Sequence, residues 1–397
     1  MNPLLITSYT AASCIGHGLS PSLDALRKRH CGLTPCNFET AVIDTYVGEV
    51  AGVDQERLPE TLRAFDCRNN RLAQLGLRQD HFSDAVHDAI RRLGATRIAV
   101  FIGTSTSGIL QTELAYRRRD PLSGRLPADF IYPSTQNTFS AADFVRRYFD
   151  LLGPAAAVST ACSSSAKVFA SAARLIECGL VDAAVVGGVD SLCLTTLYGF
   201  GSLELTSSRP CRPFDAERDG VSIGEAAAFF LVERAPAKPV GDSLLLLGIG
   251  ESSDAYHMSS PHPDGRGAHQ AMTQALASAH LAPEAIDYIN LHGTATPSND
   301  AAEGKAVATL FGAATPCSST KGATGHTLGA AGGLEAAICA LALRNGFLPG
   351  GINTGRVDPA LPISYRLDNR DQPLRRVLSN SFGFGGTNCS LILGLAS

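Results

Sequence analysis

Short apolar runs alternate with helix-patterned stretches along most of this chain, and that alternation leaves few architectures open. Residues 97–103 (RIAVFIG), 183–188 (AAVVGG), 226–233 (AAAFFLVE), 243–250 (SLLLLGIG), 286–291 (IDYINL) and 389–394 (CSLILG) are short and bounded by turns. None alternates strictly between apolar and polar, which is the pattern of strands covered on both faces. Between them, 163–178 and 333–344 carry many small residues at helical spacing, and 270–279 and 301–311 share the period. Strands alternating with helices predict an α/β fold. One linker-like stretch, 234–242 (RAPAKPVGD), divides the series in two. The pattern therefore predicts two α/β units, 1–238 and 239–397, with reactive groups in both and a site between them.

Composition narrows the function. Of 397 residues, 45% are hydrophobic and only 18% charged, too apolar for a disordered chain. The net charge of −4 argues against a nucleic-acid binder. No apolar run approaches the roughly 18 residues of a membrane helix. The N-terminus, MNPLLITSYTAASCIG, lacks the cationic start of a signal peptide. A cytoplasmic enzyme with no membrane insertion is the expectation. The 11 cysteines show no CxxC pair and no zinc spacing, so they are read as reduced and mostly buried.

Several motifs invite misreading. Residues 220–224 (GVSIG) match the GxSxG pattern, but they follow a polar loop and enter a strand, whereas a nucleophile elbow needs strand, turn and helix. His257, His262 and His269 are spaced by five and seven, where helical metal ligands want three or four. Gly248 and Gly250 follow a strand, but Ser253 replaces the third glycine of a dinucleotide fingerprint. Arg117, Arg118 and Arg119 read as a solvated face.

Cys162 stands out among the cysteines. In 158–165 (VSTACSSS) a β-prone run precedes it and a helical run follows. That places it at a helix N-terminus, where free N–H groups and the dipole favour a thiolate and lower its pKa. The small neighbours leave room for a carbonyl substrate, and such a junction suits a covalent acyl carrier. His292 lies just after an apolar run in a Gly/Thr turn (NLHGTAT, 290–296), and Lys321 and His326 share another Gly-rich loop (STKGATGH, 319–326). Catalytic groups concentrate on such loops. The glycines of 382–388 (FGFGGTN) let backbone approach a ligand, with N–H groups available for an oxyanion.

Together with 212–215 (RPFD), 218–220 (RDG) and 254–258 (DAYHM), these segments resemble the β-ketoacyl-acyl carrier protein synthases, elongating condensing enzymes of the thiolase fold. The resemblance spans nearly the whole chain. It implies two similar α/β halves in an αβαβα layer arrangement, with the nucleophile in the first and both histidines in the second. It implies a decarboxylative Claisen condensation of an acyl group on Cys162 with malonyl-carrier protein, in fatty-acid or polyketide and polyene elongation. By the same resemblance, the backbone N–H groups of Cys162 and Phe384 form the oxyanion hole, and the Phe384 side chain gates the second substrate. His292 and His326 donate hydrogen bonds to the thioester enolate, Lys321 sets the charge beside them, and Glu303 is its expected partner. Thr294 and Thr296 hold the phosphopantetheine arm. Asn290, Glu335 and Asn380 resemble a monovalent-cation cluster. No cofactor is required beyond the phosphopantetheine of the acyl carrier protein. A dimer is implied, either a homodimer or a heterodimer with a related subunit. Arg68, Arg71 and the 117–119 run are candidates for the basic patch that meets the acidic carrier.

Gly322, Asn299, Ala226 and the 104–108 loop (TSTSG) depart from the family pattern, the last near the expected acyl pocket. Two alternatives compete. A thiolase shares the fold, but needs a second catalytic Cys in a different glycine motif. Non-catalytic relatives set chain length as partners of an active subunit; retention of Cys162, His292 and His326 makes this chain the active member.

Overall fold

The computed structural model describes residues 1–396. The expected strands and helices form, and they fall into two series with one pairing pattern. In the first, Leu4–Ser13 pairs antiparallel with Ala226–Arg234, which pairs antiparallel with Ala183–Asp190. Ile98–Gly103 and then Ala155–Val158 add in parallel. In the second, Leu244–Ser253 pairs antiparallel with Thr387–Leu395, which pairs antiparallel with Arg376–Gly383. Tyr288–Asn290, Pro316–Ser318 and Ser364–Tyr365 then add in parallel. A short antiparallel seam, Leu4 opposite Leu246 and Leu5 opposite Leu245, joins the two into a 12-stranded whole.

Three apolar cores account for the layers. One lies between the two series and contains the helices Ser164–Glu177 and Ala331–Asn345. A second packs the outer helices Arg68–Leu77, Phe82–Leu93 and Phe139–Tyr148 on the first series. A third packs Arg266–Ala279 and Pro297–Phe311 on the second. The result is the expected order of helix, sheet, helix, sheet and helix.

Small residues let the central helices touch. Gly333 N–H donates to Ser165 Oγ at 2.8 Å, and a Cβ at Gly332 would sit 2.8 Å from the Ala166 Cβ. Gly250 has a similar packing duty. A Cβ there would lie 1.9 Å from the Ala271 carbonyl oxygen, so it seats a helix on the strand and cradles no phosphate. The linker at 234–242 connects Ala226–Arg234 to Leu244–Ser253. No helix among the described residues is long and apolar enough to cross a membrane.

Candidate active site

Loops from both series meet at the C-terminal ends of the parallel strands, where ligands of α/β sheets gather. Cys162 follows Ala155–Val158 and stands one residue before Ser163, the N-cap of the helix Ser164–Glu177. The turn before it is tight: Ala161 has φ +52°, a left-handed conformation that strains a residue with a Cβ by about 1–3 kcal/mol. Ser164 Oγ ties this turn, accepting from Thr160 N–H at 2.9 Å and donating to the Ala161 carbonyl at 2.5 Å. The thiol is 5% exposed.

His326 reaches Cys162 from the other series, with Nε2 2.9 Å from Sγ. The His292 ring stands nearly perpendicular to that of His326, with centroids 5.2 Å apart. The Cys162 sulfur and one nitrogen of each ring lie within 4.8 Å of one another, and no other Cys, His, Asp or Glu group among the described residues converges this way. His257, His262 and His269 form no such group.

The two imidazoles are held differently. Glu303 accepts the backbone N–H groups of His292 and Gly293, both at 2.8 Å. Lys321 Nζ donates to the His292 carbonyl at 2.5 Å and lies 3.4 Å from its Nδ1. An ammonium group can only donate, so Nδ1 is the acceptor and the ring proton sits on Nε2. His326 is fixed by its backbone: its N–H donates to the Ser222 carbonyl at 2.7 Å, and Gly224 N–H donates to its carbonyl at 3.0 Å. Its Nδ1 is buried without a hydrogen-bond partner. The GxSxG segment thus carries no nucleophile: Ser222 is buried, accepts from Cys211 N–H at 3.0 Å, and steadies a histidine.

Electrostatics follow from burial. Burial and then the Lys321 charge push both histidines well below the usual imidazole range, with His326 a further depressing influence on His292. Both rings are therefore neutral at pH 7. The expectation of a lowered thiol pKa is overturned. Burial pushes Cys162 up to about 11, against the opposing pull of Lys321 and the Phe384 N–H. Cys162 therefore rests as a thiol, with His326 Nε2 within hydrogen-bond distance of it. The Phe384 N–H faces the sulfur, as an oxyanion donor would.

Lys321 does not pair with Glu303. It forms a buried ion pair with Glu335, while Glu303 is occupied by the His292 turn and by Asn380 Nδ2 at 3.1 Å. The eleven-residue spacing of His292 and Glu303 reflects backbone capping, not a Lys partner. Asn380 also leaves the expected cation cluster, since its Oδ1 accepts from Ser390 at 2.8 Å. Asn290 Oδ1, Glu335 Oε2 and Ser379 Oγ are buried oxygens that lack partners. Asn290 and Ser379 sit opposite each other in the parallel register, and Cys339, which Ser379 neighbours, lies one helical turn after Glu335. Oxygens of this kind suit a hard cation.

The cavity over Cys162 is lined by both histidines, Phe200, Val221, Thr294 and Phe384. Thr294 and Thr296 hydroxyls are 2.9 Å apart on its wall. Phe384 is half-buried and stacks on Phe200, with centroids 5.5 Å apart. Its loop is pinned by Gly385 N–H on the Met258 carbonyl at 2.7 Å and by Asp254 N–H on the Gly386 carbonyl at 2.8 Å. This gives the 254–258 motif its place.

The basic-patch candidates fare unevenly. Arg68 is 6% exposed and lies against Glu225, with Nε 3.0 Å from Oε2, and also reaches Asp54 and Glu49, so it offers nothing to a partner. Arg71 is committed to Asp66, and Arg118 to Asp129. Arg119 is exposed with no ion pair among the described residues. Asp190 was missed entirely; a lone buried carboxylate leaves no periodic mark in a sequence.

Comparison with known proteins agrees with this geometry. The family description "Beta-ketoacyl synthase, N-terminal domain" matches residues 2–237, and "Beta-ketoacyl synthase, C-terminal domain" matches 245–354. A 3-oxoacyl-[acyl-carrier-protein] synthase 2 of Vibrio cholerae is 33% identical over 98% of both chains. Among solved structures, the ketosynthase ApeO in complex with its chain length factor ApeC, from Xenorhabdus doucetiae, is 40% identical with a TM-score of 0.88, covering 100% of this chain and 98% of that one. The ishigamide ketosynthase/chain length factor is 26% identical with a TM-score of 0.86 over 99% of each chain. The chain is a condensing acyltransferase of thiolase-like fold and belongs to the beta-ketoacyl synthase family.

Proposed function

We propose that Cys162, His292 and His326 carry out a 3-oxoacyl-carrier synthesis in which this chain is the active subunit of a heterodimer. The observation that carries the site assignment is the 2.9 Å approach of His326 Nε2 to Cys162 Sγ beside a second neutral imidazole. In the first half-reaction Sγ attacks the acyl thioester and its proton passes to His326 Nε2. The Cys162 and Phe384 N–H groups hold the oxyanion. The carrier thiolate departs and takes the proton back. In the second, malonyl-carrier loses CO2, and its enolate carbon bonds to the acyl carbonyl while the C–Sγ bond breaks. The Nε2–H of His292 donates to the enolate oxygen, and His326 assists from the thiol side. The released Cys162 thiolate recovers a proton from solvent.

Thr294 and Thr296 would bind the amide-bearing phosphopantetheine arm at the cavity wall, and Phe384 would admit the second carrier by swinging off Phe200. Acyl carrier protein is the donor, and no cofactor beyond its arm enters the reaction. Asn290 Oδ1, Glu335 Oε2 and Ser379 Oγ would hold a monovalent cation, which would balance the second oxygen of Glu335.

Heterodimer assembly is supported by the full-length likeness to a ketosynthase solved with its chain length factor. It also fits the fold. Ala155–Val158 is an edge strand with all four residues half-buried, and an open edge of this kind takes another strand. Exposed Ile131, Tyr132 and Phe139 are apolar surface near it, on and before a helix that packs on that strand.

The test is acylation of Cys162 by acyl-carrier thioesters, read by intact mass and peptide mapping, then addition of malonyl-carrier with and without a chain-length-type partner. Acylation followed by a 3-oxoacyl product supports the reading. Product without the partner favours a homodimer in general fatty-acid elongation. Transfer from acetyl-CoA alone returns the thiolase alternative.

A further inference from the structure

One carboxylate grips loops from both halves of the molecule. Asp190 ends the strand Ala183–Asp190 and is fully buried. Its Oδ1 accepts from Thr104 Oγ1 at 2.6 Å, Ser105 N–H at 2.8 Å, and the Thr106 N–H and Oγ1, both at 2.9 Å. Its Oδ2 accepts from Ser105 Oγ at 2.5 Å and, across the halves, from Gly329 N–H at 2.6 Å. No Lys or Arg among the described residues pairs with it, so hydroxyls and backbone amides alone meet its charge.

Gly329 stands three residues after His326. A Cβ there would lie 2.7 Å from Asp190 Oδ2 and 2.8 Å from Ser105 N, so only glycine allows this approach. On the other side, Ser107 N–H donates to Thr104 Oγ1 at 3.0 Å, and Ser107 Oγ donates to the carbonyls of Thr135 and Asn137 at 3.1 Å. The frame runs from the apolar surface near Ile131 to the loop of the histidine that touches the nucleophile.

We propose that Asp190 is a positioning residue for the condensation, locking the 104–106 loop to the His326 loop so that both halves present one rigid wall to the reacting thioester. It rests on the condensing reaction proposed above. An Asn here would keep one acceptor oxygen but turn an NH2 toward groups that also donate, so the frame would loosen on one side.

Asp190 also acts on the thiol through its charge. The groups that face Cys162 are Lys321, whose charge favours the thiolate, Asp190, whose charge opposes it, and the neutral His292 and His326. Removing the negative charge moves thiol ionisation to lower pH, which a merely structural role would not do.

The experiment compares the wild type with Asp190→Asn, Gly329→Ala and Thr106→Val. Thermal melts, steady-state condensation kinetics and the pH profile of Cys162 alkylation by iodoacetamide are measured for each. Asp190→Asn is expected to lower kcat by about 100-fold, the loss that misplacement near 1 Å brings. KM for the carrier substrates should hold, and the alkylation profile should move to lower pH. Gly329→Ala and Thr106→Val should lower kcat in the same direction by less. A folded Asp190→Asn with wild-type kcat and an unmoved profile overturns the proposal. If Asp190→Asn does not fold, wild-type kcat in both other variants overturns it. If wild-type Cys162 accepts no acyl group, the condensing reading has failed by itself, and the alkylation arm still decides on Asp190.

Discussion

The two halves share a strand pattern and have divided the chemistry. In each, a parallel strand at equivalent position leads through a loop to a central helix: Ala155–Val158 to Ser164–Glu177, and Pro316–Ser318 to Ala331–Asn345. The first loop is short and strained and presents Cys162 at the helix start. The second holds a one-turn helix, Lys321–Thr324, and delivers a cation and an imidazole. The neighbouring loops diverge likewise. After Ile98–Gly103 come hydroxyls gathered on Asp190; after Tyr288–Asn290 comes His292, gathered on Glu303. Each half uses a buried carboxylate to fix a loop of its own, but only in the second does that loop carry a titratable imidazole. The nucleophile was placed where a strand meets a helix, and the proton chemistry where a turn could be braced by an ion pair.

The largest effect comes from the first half. Replacing Cys162 by Ala removes the proposed covalent acceptor, so acyl transfer should vanish by intact mass. Condensation should fall at least about 10^4-fold, as for other lost nucleophiles. Residual acylation mapped to another residue would break the division of labour.

The histidines should separate the half-reactions. His326→Ala removes the thiol's proton acceptor and should slow acyl transfer about 100-fold or more. His292→Ala should leave acyl transfer closer to wild type, yet remove most decarboxylation of malonyl-carrier once Cys162 is acylated. Pre-steady-state acylation and CO2 release measure the two steps. Equal losses in both steps for both variants would show that the rings act as one unit.

Much of this was legible in the chain because it was local. Cys162, His292 and His326 announced themselves through neighbours in sequence, and strands such as 226–233 through unbroken apolar runs. What failed was long-range. Arg68 reads as a surface base because nothing nearby in sequence shows that Glu225 will meet it. The helix Arg68–Leu77 is polar in composition and almost wholly buried, and its Asn70 Nδ2 reaches Ser140 Oγ, 70 residues along the chain, at 3.1 Å. The Lys321 partner was misassigned because Glu303 and Glu335 are equivalent by residue type and differ only in where their helices lie. The thiol pKa went wrong for a related reason: a helix start can be read from sequence, but the depth of burial that outweighs it cannot.

Lys321→Ala tests the bracing of the second half through pH. Burial and the Lys321 charge both depress His292 and His326. Removing that charge raises both pKa values toward the ordinary 6.5. Since the neutral rings are the working form, activity is lost as pH falls through their pKa, so the acid limb of the kcat profile should move to higher pH. Glu335, already pushed up to about 7 by burial, loses the cation that opposes that rise and should take up a proton. An acid limb that stays in place would show that burial alone keeps the rings neutral.

The smallest effects on turnover separate buried from exposed arginines in the first half. Arg68→Ala strands Glu225 in the core, and breaking a buried pair in this way costs about 3–5 kcal/mol. The variant should melt well below wild type with an unchanged salt dependence of carrier binding, because Arg68 presents no surface to a partner. Arg119→Ala should do the reverse. An exposed charge with no partner changes stability by less than about 0.5 kcal/mol. If carrier protein docks over this surface, the KM for acyl-carrier should rise and its salt dependence should flatten, since steering of an acidic partner fades with ionic strength. Melting curves and KM at low and high salt for the two variants decide the matter. A salt response in Arg68→Ala, or none in Arg119→Ala, would move the docking face elsewhere on the first half.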